Sequence, residues 1–116
     1  MDFDAAISAH SAWKMKLASY LKKPDKSLDA KEVASDHKCP LGHWIHGDGS
    51  KHAPLAEFQA LKSEHARFHK AAADVVAQAD AGKDVTEEIA IGGTSEFAMA
   101  STKIVGAIIA MRRKVG

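Results

Sequence analysis

Three stretches of this chain carry apolar residues at spacings of three and four, a period that suits helices and not strands. In the first, Phe3, Ile7, His10, Trp13, Leu17 and Leu21 fall on one face. In the second, Leu55, Phe58, Leu61, His65, Phe68, Ala72 and Val75 form a stripe that alanines extend to Ala79. In the third, Phe97, Ser101, Ile104, Ile108 and Met111 lie on one side, with Ala98, Val105 and Ile109 beside them. No stretch alternates with a period of two for long enough to build a sheet.

The breaks between these stretches are equally readable. Pro24 ends the first helix after Lys22-Lys23, since proline cannot continue the hydrogen-bond ladder. A shorter helical stretch is predicted from Ser27 to about Ser35. Asp36 to Ser50 reads as turn and loop, because Pro40, Gly42, Gly47 and Gly49 interrupt it. A long helix should begin near His52 to Pro54, with Gly82 as its stop signal. The last should run from Thr86 or Thr94 to Arg113, kinked or interrupted by Gly92-Gly93. The expectation is an all-α fold. It is an antiparallel four-helix bundle with an additional short helix or loop carrying the cysteine, and residues 1–116 form a single domain.

Charge excludes some functions. Sixteen Lys+Arg stand against 15 Asp+Glu, with no basic excess to hold nucleic acid or an anionic membrane surface. The apolar run Ile104 to Met111 is too short to span a bilayer, so no membrane insertion is expected. The opening Met1-Asp2-Phe3-Asp4 is not a secretory signal, and one cysteine makes no internal disulfide. Both suit a cytoplasmic location.

Seven histidines in 116 residues need an explanation, and their positions supply one. His65 and His69 are four apart and share a helical face with Phe68 between them. His10 takes a stripe position where Leu or Ile is expected. A lone histidine there is commonly a satisfied core residue, but three imidazoles sent into one small core are costly unless something partners them. A shared cation does so. Cys39 is the fourth candidate. Pro40 suits a first helical position, which puts Cys39 at the N-cap of a short helix, where the dipole favours thiolate. The plain alternative is a small buried hydrophobe. Three imidazoles and a thiolate match tetrahedral Zn2+, with no position left for a reacting water. Glu64 precedes His65 instead of lying between the pair, so the metalloprotease pattern is absent and no enzyme is expected. His37, His43, His46 and His52 lie in or beside the polar loop; His37, two residues from Cys39, is the chief rival ligand.

The segments His10-Ser11-Ala12-Trp13, Cys39-Pro40-Leu41-Gly42-His43-Trp44-Ile45-His46-Gly47 and His65-Ala66-Arg67-Phe68-His69 together resemble the chemoreceptor zinc-binding (CZB) domain. That family's pattern is His-x-x-Trp, Cys-x-Leu/Phe-Gly-x-Trp-x-x-Gly and His-x-x-Phe/His-His. The likeness extends to Ser95-Glu96-Phe97 and Ser101. By position it places the zinc ligands on His10, Cys39, His65 and His69. It implies that Trp13 and Trp44 cover the metal and that Gly42 and Gly47 let the loop turn beside it. It further implies sensing of zinc or of oxidants, relayed to bacterial chemotaxis or cyclic-di-GMP signalling through a chemoreceptor-type or cyclase-type partner. A homodimer through the face near Ala98, Ser101 and Val105 is also implied. Met1 favours a free-standing form over an excised one. The competing expectations are a hemerythrin-like oxygen-binding bundle and a metal-free helical interaction module.

Overall fold

A computed structural model describes residues 1–37, 39–82, 91–93 and 95–115. Helix α1 (Phe3–Ser11) and helix α2 (Trp13–Lys22) follow one another through Ala12, whose backbone stays in the right-handed helical region. The single predicted helix is therefore one rod with a local break. Asp2 caps it, its carboxylate accepting from Ala5 N at 3.0 Å. Helix α3 (Ala30–Ala34) starts later than Ser27 because Asp29 is its cap, accepting from Lys31 N. Helix α4 (Pro40–His46) and a 3-10 turn (Asp48–His52) occupy much of the stretch read as loop. Helix α5 (Ala56–Asp80) ends at Ala81, and Gly82 takes φ +71°, the left-handed conformation that glycine adopts freely. Helix α6 (Glu96–Val115) starts after Gly92-Gly93, so the pair interrupts helical structure. The Thr86 and Thr94 start points lie outside the described residues.

The all-α expectation holds: every regular element among the described residues is helical. The sense of the helices is more particular. Phe3 reaches Phe58 through Trp44, His10 meets His65 and His69, and Tyr20 donates to Asp80. These contacts advance together along both elements, so the α1–α2 rod and α5 run in the same direction. Helix α6 runs against both. Phe97 packs on Phe68 near its start, and Arg112 pairs with Asp4 near its end. The antiparallel expectation thus holds for α6 and is corrected for α1–α2 with α5. The physical reason is the connection: α3, α4 and the 3-10 turn carry the chain back, and α5 starts at the end where α1 began.

The apolar stripes meet in one core. Leu17, Leu61, Phe68, Phe97, Ile104, Ile108 and Met111 are fully buried. Ala100 takes the inward place expected for Ser101, which is only half-buried. Arg67 to Glu96 (2.7 Å) joins α5 to α6 at the surface, where such pairs contribute little.

Gly42 sets how closely α4 approaches the segment before it. A Cβ there would lie 1.8 Å from the Asp36 carbonyl oxygen, a distance no side chain tolerates. Gly106, in the middle of α6, has open space around its Cβ direction. Gly42→Ala should therefore destabilise by about 3 kcal/mol or more, above the usual overpacking range. Gly106→Ala should stabilise by roughly 0.5–1 kcal/mol. Urea midpoints of the two variants check the opposite signs.

Candidate metal centre

Each of the four candidate side chains comes from a different structural constraint. His10 is the penultimate residue of α1, and its Nδ1 lies 2.8 Å from the Ala6 carbonyl oxygen. A carbonyl only accepts, so Nδ1 carries the proton and Nε2 presents a lone pair. His69 is fixed likewise, its Nδ1 donating to the Val33 carbonyl of α3 at 2.9 Å. Such partners are what set the tautomer and aim of a ligating histidine. His65, one turn earlier on α5, points Nε2 towards the same place, 3.0 Å from His69 Nε2. Cys39 is the N-cap of α4 as expected, with Pro40 first in the helix, and its Sγ accepts from Gly42 N at 3.4 Å.

The four converge. Cys39 Sγ lies 3.2 Å from His65 Nε2 and 3.7 Å from His69 Nε2, and one ligand atom from each of the four falls within 4.8 Å of the others. The imidazoles are 2 %, 0 % and 3 % exposed at His10, His65 and His69. His10 Nε2 is buried with no hydrogen-bond partner, as are His65 Nδ1 and a Glu64 carboxylate oxygen. An orphaned lone pair aimed at three other donor atoms is expensive on its own and is what a cation satisfies.

Burial dominates the electrostatics. It pushes all three imidazoles down, His65 to about 2, with the neighbouring His69 and His10 adding to the effect there. Backbone acceptors at Ala6 and Val33 oppose it for His10 and His69. Burial raises the Cys39 thiol, against backbone N–H groups including that of Gly42. The site is thus a neutral cluster of soft and borderline donors. Tetrahedral zinc, bonded at about 2.0–2.1 Å to nitrogen and about 2.3 Å to sulfur, separates its ligand atoms by roughly 3.3–3.6 Å. The observed 3.0, 3.2 and 3.7 Å bracket that spacing. The donor set fits zinc.

The sequence model of the chemoreceptor zinc-binding domain matches residues 10–76, more than half of the chain. The chain belongs to this family. No curated protein and no solved structure matches it significantly. The matched span contains all four converging residues and all three motif segments of this CZB domain.

Trp13 lines the apolar surface beside His10, Cys39 and His69, and Lys16 Nζ sits 4.8 Å over its ring. The ring partners of Trp44 are Phe3 and Phe58 of the apolar core and the half-buried His52. Gly42 serves close approach inside α4, not a loop turn. Among the described residues His37 does not join the four; it stacks on His46 instead. The cluster holds no carboxylate, which a carboxylate-bridged di-iron centre of the hemerythrin type requires. The Ala6 and Val33 carbonyls left no trace in the sequence, because backbone acceptors have no residue signature.

Protonation gives a signed test on chelator-treated protein. Folded imidazoles titrate below their unfolded value of 6.5, so the unfolded chain binds more protons there and stability falls as pH drops from about 6.5. The raised thiol does the opposite, and stability falls as pH rises above its unfolded value of 9.0. Urea midpoints should peak between these limits, and the part of the decline that begins near pH 6.5 should be absent in a variant lacking the three histidines.

Proposed function

We propose that this CZB domain is a regulatory zinc-binding module whose single ion is held by His10, Cys39, His65 and His69. The observation that carries the reading is the buried, unpartnered Nε2 of His10 facing the Cys39, His65 and His69 donors. A zinc ion bound there supplies a dication that stabilises the Cys39 thiolate and joins α1, the start of α4 and α5.

The chain's own residues make this joint responsive. His10, His65 and His69 are kept neutral by burial and are ready to donate. Cys39 is the only donor that becomes anionic, and it is half-buried, open to small reagents from the side lined by Trp13. Oxidation of its sulfur removes the anionic donor and releases the N-cap of α4. Loss of zinc leaves the same four groups unjoined. Either event changes how α4 and α3 sit on α5, and a partner docked on the bundle reads the change. The role is therefore sensing of zinc or of an oxidant, not catalysis, in a cytoplasmic signalling assembly of the chemotaxis or cyclic-di-GMP type. A homodimer through the partly exposed face of α6 at Ala98, Ser101 and Val105 completes the reading. Among the described residues no helix is long and apolar enough to cross a membrane.

Metal analysis of protein purified without added zinc tests the site. Wild type should carry about one zinc. Cys39→Ser and His69→Ala should weaken binding by more than about 100-fold, beyond the roughly 10–100-fold effect of an outer hydrogen-bond partner. Metal-free wild type, or variants that keep their zinc, would defeat the proposal. For the oxidant version, hypochlorite or peroxide should release zinc from wild type while helix content persists; retention of zinc would exclude it.

A further inference from the structure

A second group of donors lies on the outer side of the Cys39 segment. Asp36, His37 and His46 each place a ligand atom within 4.8 Å of the others. His37 Nε2 is 3.4 Å from Asp36 Oδ1, and His46 Nε2 is 3.8 Å from Asp36 Oδ2. The two imidazoles stack with centroids 3.8 Å apart and an interplanar angle of 12°; stacked rings do not aim both in-plane lone pairs at one point, so a shared ion requires the largely exposed His37 ring to turn out of the stack. The Asp36 side chain is 19 % exposed, His46 26 % and His37 66 %.

We infer that Asp36, His37 and His46 form a second, exchangeable site for zinc or a similar divalent transition ion, distinct from the buried four-residue cluster. The distances argue for it. At 3.4 and 3.8 Å neither imidazole makes a normal hydrogen bond to the carboxylate, which needs about 2.7–3.2 Å. Ligand atoms around one tetrahedral ion stand roughly that far apart, given bonds of about 2.0–2.2 Å to nitrogen and oxygen. Two imidazoles and a carboxylate suit zinc, copper and nickel, and they exclude the all-oxygen preference of calcium and magnesium. Three protein donors leave a position for water, and His37 is open to solvent, so the ion exchanges readily.

The placement gives the site a consequence. Asp36 is held against α4 by the missing side chain at Gly42, and His46 is the last residue of α4. An ion between them would join Asp36 and His37 to the end of α4 from outside, with Asp36 three residues from Cys39 in the chain. The inference does not depend on the proposed function: it stands on a separate set of side chains.

Calorimetric titration of the chelator-treated full chain with zinc chloride tests it. Wild type should bind two equivalents, the second more weakly. His37→Gln/His46→Gln should bind one, with the tighter equivalent unchanged. Cys39→Ser should keep the weaker equivalent, which separates this site from the buried one. A single equivalent in wild type that His37→Gln/His46→Gln leaves unchanged, or two in the double variant, would overturn the inference, whereas a single equivalent that the double variant loses would support it and count against the buried cluster instead. Should the double variant lose both through misfolding, His37→Gln alone decides. Its ring is largely in solvent, and at least tenfold weaker binding of the second equivalent supports the site, while unchanged binding refutes it.

Discussion

Three imidazoles share the centre of this fold, and the rest of the structure is arranged so that they are tolerable there. Histidine is affordable in an apolar interior only when its charge is suppressed and its nitrogens are occupied. Burial does the first for His10, His65 and His69. Carbonyls at Ala6 and Val33 do part of the second, each taking one N–H and leaving the opposite lone pair directed inward. What is left over is a set of donor atoms with a sulfur among them, of which His10 Nε2 and His65 Nδ1 have no hydrogen-bond partner among the described residues. That surplus is a destabilising feature for a bundle and a useful one for a metal-responsive domain.

The unusual sense of the helices follows from the same need. Had the chain turned tightly after α2, the next long helix would run antiparallel to it. Instead α3, α4 and the 3-10 turn return the chain to its starting end before α5 begins. This detour delivers two elements to the site that a short hairpin could not. Helix α3 brings the Val33 carbonyl to His69, and α4 brings the Cys39 sulfur to His65 and His69. The short helices are small contributors to the core, with Val33, Leu41 and Ile45 buried.

The Asp36 to Gly47 stretch therefore has two faces. Inward it presents Cys39; outward it presents Asp36, His37 and His46. Gly42 keeps the two within a few ångströms by letting α4 rest directly on the Asp36 backbone.

The sequence by itself determined the helical class, the stripes and the motif residues, since periods of three and four and the His-x3-His spacing are local properties of the chain. It also determined the Cys39 cap, because Pro40 fits only a first turn and leaves the preceding residue as the cap. Tertiary structure decided the rest. Which end of the rod α5 starts from depends on the path of a long connection, and local propensity carries no information about it. The tautomer-fixing carbonyls, the packing of Trp44 against the core and the meeting of His37 with His46 all depend on segments brought together in space. The break at Ala12 is likewise visible only in the fold, since neither proline nor glycine marks it.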